Sequence, residues 1–536
     1  MVGVAGRSKG CNTCRKRRVK CDEAKPKCHR CLKAGFECLG YERATQWRHT
    51  SVAPTSKSRP HSPEFMELIS PTPMGLAPAP ELSLVAFEGD MCTAYVFKNF
   101  VWKSYGSLWL DHAAEGKLDT LSLDAVKALS RLSFGLGNKV QDLQHKGESQ
   151  YGRCLRVLAD ELGRDEVAAH DSRRLIVPIL VLMMVSAIQA DRTAAGFHLR
   201  AIEKVLILCG PGAFQQQPLR NAFEAARATL LVSSLLSRRR TFLENPCWHF
   251  VPYALDSSTK PQQSQLLDIF VTIPGFLEEE SRINDSNSQS DDESIGLSLI
   301  LDEQLDRRAA LGGCVAAQLE KLYRWRWNWQ RKYSQYVAIG RDEWQRDSLS
   351  PKSTDSIGSS RETSRLRFDR PIHSNDIMLY NAVLMWLMTL MWKLQPFQAA
   401  SRIQCCARRA AASSASPPNS PGSSQSVSFE PLSWPGAFLS IRDPALEICR
   451  AFEWQCRHYE QHTAFSDQTC LLLLPLGMAR CAFDGDSEYQ DWIDNMLDSN
   501  PVTAGYGRGG GSVVGFGSYI TPRALDPNAR VPDDNF

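Results

Sequence analysis

Beyond Leu82 apolar residues recur at spacings of three and four, as at Tyr95, Val96, Phe100 and Trp102, through Leu121 to Leu132, and at Leu155, Leu158 and Leu162. That period belongs to helices that bury one face. The same reading predicts helices at Ala194–Cys209, Arg220–Ser237, Leu301–Tyr336, Asp376–Lys393, Ala445–His462 and Thr469–Phe483. Strand-like alternation is scarce, so residues 82–500 are expected to form a large all-α domain. Polar, Ser-rich stretches near 281–294, 348–365 and 413–428 interrupt it and read as disordered insertions, and the Gly-rich segment 501–536 reads as a flexible tail. Two apolar runs, Leu175–Ala190 and Ile377–Trp392, are about sixteen residues each. A membrane span needs roughly 20, so both are expected to be core helices, with no membrane partner.

Before Leu82 the pattern disappears. Seven prolines between Pro54 and Pro80 prevent helix and central strand, which makes 46–81 an extended linker. Residues 1–45 have almost no core, with Val19, Leu32 and Phe36 as their few apolar side chains. Such a module needs another source of folding free energy.

Composition and charge sharpen this division. Apolar residues at 43% and charged residues at 23% are those of a folded protein. The net charge of +3 is unevenly spread: residues 1–50 carry 13 Lys or Arg against 4 Asp or Glu, while the rest carries 49 against 55. A basic module joined to a mildly acidic body points to a polyanion contact at one end. No apolar run near Met1 has the length of a secretory signal, so an intracellular address is expected, where 17 cysteines suggest thiols and metal ligands before disulfides.

Six of those cysteines lie at Cys11, Cys14, Cys21, Cys28, Cys31 and Cys38. The spacing C-x2-C-x6-C occurs twice, as CNTCRKRRVKC and CHRCLKAGFEC, around a turn containing Pro26. A structural zinc takes four ligands in a tetrahedron. Six thiolates can serve two zincs if one cysteine of each half bridges both metals. A single-zinc ribbon and a redox C-x-x-C pair are the competing readings, and the symmetric third cysteines favour the binuclear one. Metal would then supply the folding free energy of residues 11–38.

Gly10 to about Tyr41, with all six cysteines, the basic RKRRVK stretch, the Asp after the third cysteine and the Lys-Pro before the fourth, resembles the binuclear cluster of fungal Zn(II)2Cys6 transcription regulators. The resemblance implies two Zn²⁺ per chain. It also implies that Cys11 and Cys28 bridge, with Cys14 and Cys21 completing one site and Cys31 and Cys38 the other. Scattered positions in Tyr151-Gly152-Arg153, Phe197–Pro211 and Phe242–Pro252 are similar to the helical regulatory region of one group of these proteins. Such regions hold the regulator inactive, receive signals or engage coactivators.

The implied function is a nuclear, sequence-specific DNA-binding regulator of RNA polymerase II transcription. A short helix is expected to start at about Cys14, with zinc at both ends. Arginine can donate two hydrogen bonds to guanine, and residues near the end of this helix read a CGG-type triplet in the similar proteins. Arg17 and Arg18 are therefore the base-reading candidates. Arg15, Lys16, Lys20, Lys25, Lys27 and Arg30 are the phosphate contacts. RKRRVK also suits nuclear import. Expected partners are double-stranded DNA and transcription coactivators or mediator. A homodimer is left open, because residues 39–90 show no sustained heptad. A secondary-metabolite biosynthetic gene cluster is the expected target. The alternatives are a catabolic pathway, or a zinc-scaffolded protein-interaction module that does not bind DNA.

Other motifs are weaker. YRWRWNWQRKY (Tyr323–Tyr333) could stack on nucleic acid, but Leu322, Trp325 and Trp329 share one helical face, which favours packing. Gly505, Gly507 and Gly510 satisfy G-x-G-x-x-G without the strand and helix a dinucleotide site needs. The remaining cysteines show no second metal spacing. H-E-x-x-H, G-x-S-x-G and Walker A patterns are absent, so no enzymatic activity is expected.

Overall fold

A computed structural model of the chain describes residues 10–41, 87–99, 117–163, 172–189, 191–255, 260–285, 296–340, 365–414, 431–438, 440–458 and 473–499. They fall into two units, within 1–81 and 82–536, each described by itself. The expected linker 46–81 and tail 501–536 lie outside the described residues.

The N-terminal unit contains two one-turn helices, α1 (Asn12–Lys16) and α2 (His29–Lys33). The second unit is helical, as the apolar period predicts. It runs α3 (Glu88–Asn99), α4 (Thr120–Gly137), α5 (Gln141–Leu162), α6 (Ile176–Ile188), α7 (Arg192–Cys209) and α8 (Leu219–Ser237). After the one-turn helix Cys247–Phe250 come α9 (Gln262–Phe270), α10 (Ile273–Asp285) and the 38-residue α11 (Gly296–Tyr333). The series ends with α12 (Pro371–Leu394), α13 (Ala399–Ser414), α14 (Arg442–His458), α15 (Leu473–Ala482) and α16 (Ser487–Ser499).

Local chemistry sets several helix starts. Asp119 and Asp191 each sit just before a helix and accept a first-turn N–H, from Ser122 at 3.0 Å and Ala194 at 2.9 Å. Each satisfies a backbone donor that has no intrahelical partner. Gly147 of α5 lets α4 approach closely: a Cβ there would stand 2.6 Å from Leu132 Cγ.

Three sequence expectations need correction. Among the described residues the all-α class holds apart from one antiparallel ribbon, in which β1 (Val337–Gly340) pairs Val337 with Phe368 and Gly340 with Arg365 of β2 (Arg365–Phe368). Four-residue strands separated by 24 residues leave no readable alternation, and Phe368 gains its burial by packing on Trp454 of α14, with ring centroids 5.4 Å apart. Parts of the three polar segments are ordered: 281–285 complete α10, Arg365 opens β2, and 413–414 end α13. The rest of those segments lies outside the described residues.

The third correction concerns the length of α12, while its expected place as a core helix holds. At 24 residues it is long and apolar enough to cross a membrane, where the sixteen-residue run alone falls short. What decides its role is packing, since 83% of its most apolar window is buried inside the unit. A helix that is apolar all round suits the centre of a domain. Around it lie α9, α11, α14 and α15. The aromatic and basic segment of α11 packs there too: Leu322, Trp325, Arg326 and Trp329 are buried, Trp325 stacks on Tyr380, and the Trp329 indole donates to Asp376 at 2.9 Å.

Candidate metal centre and nucleic-acid interface

The cysteine repeat becomes a repeated local structure. Cys11 and Cys28 precede α1 and α2 in extended conformation, and their sulfurs accept the N–H groups of Cys14 and Cys31, each at 3.3 Å. The C-x2-C spacing thus puts a sulfur at the N-cap and a second one in the first turn. α1 consequently begins at Asn12, two residues earlier than expected. The third cysteines follow the same symmetry: Cys21 Sγ accepts from Cys11 N–H at 3.4 Å and Cys38 Sγ from Cys28 N–H at 3.5 Å.

Both helices end alike. Arg18 N–H donates to Arg15 O and Val19 N–H to Cys14 O; Gly35 N–H donates to Leu32 O and Phe36 N–H to Cys31 O. This paired closure is the Schellman motif, and it needs a left-handed residue one position past the cap. Gly35 takes that conformation at φ +67°, and Arg18 takes it at φ +55°. A non-glycine side chain there is disfavoured by about 1 kcal/mol or more.

The sulfurs converge. Cys11, Cys14, Cys21 and Cys28 form one group within 4.8 Å, and Cys11, Cys28, Cys31 and Cys38 form another. The two groups share Cys11 and Cys28, whose sulfurs are 3.6 Å apart. Cys11–Cys31 and Cys14–Cys28 are each separated by 3.7 Å. Two thiolates on one tetrahedral zinc stand about 3.8 Å apart, given a bond of about 2.3 Å. The donor set therefore fits the metal. Cys14 and Cys31, from different groups, also approach to 3.6 Å, where the two halves meet.

The electrostatics explain why a cation belongs here. Burial pushes the Cys14 thiol up to about 12 and also raises Cys11 and Cys28, so thiolates at these positions require a neighbouring positive charge. Backbone donors oppose burial at the third cysteines. The Cys11 N–H holds Cys21 down to about 6, and the Cys28 and Gly40 N–H groups lower Cys38.

Side chains that the spacing did not flag close the module. Thr13 donates its hydroxyl to Glu37 O at 2.8 Å and accepts Leu39 N–H at 3.0 Å, and Asn12 N–H reaches Gly40 O at 2.9 Å. Tyr41 donates to Ala24 O at 2.9 Å, with its hydroxyl 3.7 Å from Cys21 Sγ. No periodicity marks these residues, because each acts between segments distant in sequence.

Of the expected DNA-contacting cations, Arg15 and Lys16 lie on α1, Arg17 and Arg18 end it, and Lys20 follows. Lys25 and Lys27 flank Pro26 in the turn, and Arg30 is on α2. Seven of the eight are exposed, and among the described residues none of the eight forms an ion pair. Arg17 differs: it is half-buried, with its guanidinium 3.8 Å from the centre of the Phe36 ring.

Comparison with known proteins agrees with this geometry. Residues 9–48 match the fungal Zn(2)-Cys(6) binuclear cluster domain. The chain is 45% identical over 71 residues to an uncharacterised transcriptional regulatory protein of Schizosaccharomyces pombe, covering 13% of this chain and 12% of that one. It is 42% identical over 76 residues to the aspercryptin biosynthesis cluster-specific transcription regulator atnN of Emericella nidulans, covering 14% and 12%. It is 61% identical over 33 residues to white-opaque regulator 2 of Candida albicans, covering 6% and 7%. The likeness thus spans about an eighth or less of these relatives' own lengths. No solved structure matches the chain. The N-terminal module, with its repeated cysteine halves, is a fungal Zn(2)-Cys(6) binuclear cluster domain that binds two zinc ions.

Proposed function

We propose that the protein is a nuclear transcription regulator that binds double-stranded DNA sequence-specifically through the zinc module. In this reading Cys11 and Cys28 bridge two zincs, Cys14 and Cys21 complete one, and Cys31 and Cys38 the other. The observation that carries the reading is the set of exposed cations at Arg15, Lys16, Arg18, Lys20, Lys25, Lys27 and Arg30, without ion pairs among the described residues, around two helices fixed by metal. Exposed cations suit phosphates, and the end of a rigid helix suits base edges in the major groove.

CGG-type sites, transcription by RNA polymerase II and recruitment of coactivators or mediator by the helical unit belong to this proposal. So does control of a biosynthetic gene cluster, the role that the Emericella nidulans relative is named for. A salt-sensitive mobility shift with CGG-containing duplex, abolished by Cys28→Ala, tests it. Exposed apolar side chains at Leu32 and Leu39 favour a second reading, a zinc-scaffolded protein-interaction module. Two zincs per chain without DNA binding would select that reading.

A further inference from the structure

Within the zinc module one cation is placed unlike the others. Arg17 caps α1 through N–H bonds to Thr13 O and Arg15 O, and its guanidinium rests on the Phe36 ring, from the other half. Its Nη1 is buried without a hydrogen-bond partner among the described residues. The backbone of Phe36 is fixed, its N–H closing the end of α2 on Cys31 O after the left-handed Gly35, while its ring is half-exposed and offers one face to Arg17. The contact joins the end of α1 to the end of α2, close to the link from Thr13 to Glu37 and Leu39. Arg18 extends from the same turn into solvent.

We propose that Phe36 is a positioning residue for DNA recognition: it clamps the Arg17 guanidinium, so that Arg17 braces the end of α1 and Arg18 alone reads bases from that turn. The proposal rests on the DNA-binding reading above and divides the two arginines that the sequence treats alike. A guanidinium held on an aromatic face keeps its charge but loses the freedom to turn its donor edge toward a guanine. The left-handed backbone at Arg18 points the same way. A conformation that disfavours side chains is retained at a position where the second half uses glycine, and strain of this kind concentrates at functional sites.

The test uses the zinc-loaded full chain and compares affinity for a selected CGG-containing duplex with affinity for single-base-pair variants of it. Zinc content is measured in parallel. Phe36→Ala and Arg17→Ala are each expected to lower discrimination about 3- to 10-fold at the base pair where Arg18→Ala lowers it. The double variant should lose no more than either single one, and Phe36→Trp should retain discrimination. Phe36→Leu, which keeps apolar bulk without the aromatic face, serves the same comparison if Phe36→Ala sheds zinc.

Two results overturn the proposal. In the first, Arg17→Ala abolishes preference at a second base pair that Arg18→Ala leaves intact, which would make Arg17 a reader. In the second, Phe36→Ala or Phe36→Leu weakens all duplexes alike. A wild-type chain that prefers no duplex overturns the DNA-binding reading itself, and this proposal with it.

Discussion

Arg18 and Gly35 occupy equivalent positions in the two halves of the zinc module, each the left-handed residue that ends a one-turn helix, at φ +55° and +67°. Glycine adopts this conformation freely, whereas arginine does so against the contact of its Cβ with the backbone. The repeat is thus symmetric in backbone and asymmetric in strain.

Arg18→Gly should therefore stabilise the module while damaging recognition. The relief of about 1 kcal/mol should appear as a higher chelator concentration needed to remove zinc. Base discrimination should fall by about 1–3 kcal/mol. Lys27→Ala provides the contrast: it should weaken cognate and random DNA alike and reduce the salt slope by about 1. Competition binding at several salt concentrations reads both outcomes, and equal losses from the two variants would contradict the separation of base from phosphate contacts.

Removing a shared sulfur should differ from removing a terminal one. Cys28 belongs to both sulfur groups and Cys38 to one. Cys28→Ala is expected to reduce zinc from two per chain toward none and to collapse the amide spectrum of residues 11–38. Cys38→Ala should leave one zinc. Metal analysis of purified chains checks this, with far-ultraviolet circular dichroism expected to stay near wild type because the helical unit has its own core.

The helical unit should weaken in mild acid through His198. Burial depresses this histidine to about 4 from an ordinary 6.5, and its Nε2 lies 3.1 Å from the Tyr151 hydroxyl, a contact that suits the neutral ring. The unfolded chain takes up the proton first, so the contribution is complete above about pH 6.5 and lost as pH falls from there toward 4, by up to about 3 kcal/mol. Urea unfolding across this range should show a smaller pH dependence for His198→Gln than for wild type. The same slope in both would refute the assignment.

Arg227 should be a point of weakness in the same unit. It is buried beside Glu224, donates to Ser264 O at 2.7 Å and pairs with Asp268 at 3.0 Å, which Lys260 also contacts. Arg227→Ala leaves buried acceptors without their cation and should destabilise the unit by about 3–5 kcal/mol. Zinc content should not change. Denaturant midpoints and metal analysis on one preparation test both halves of this statement.

Legibility followed the range of the interactions. The six cysteines were readable because ligand spacing is local chemistry, and the C-x2-C interval also sets the N-cap geometry of α1 and α2. The helices α7, α8, α12 and α14 were readable within a few residues at most ends, since a period of 3.6 is written along a single segment. α13 was missed because its buried stripe is narrow and mostly small: Ala399, Ile403, Cys406, Ala407 and Ala410.

By itself, then, the sequence determined that residues 11–38 bind metal in two symmetric halves and that the described residues beyond Leu82 are mostly helical. Tertiary structure alone decided that Arg17 turns onto Phe36 while Arg18 faces solvent, that α12 extends to 24 residues with α9, α11, α14 and α15 around it, and that β1 finds β2. The physical reason is the same in each case. A side chain's composition and spacing state what it can touch, but its actual partner is set by segments far away in the chain, whose approach no local pattern records.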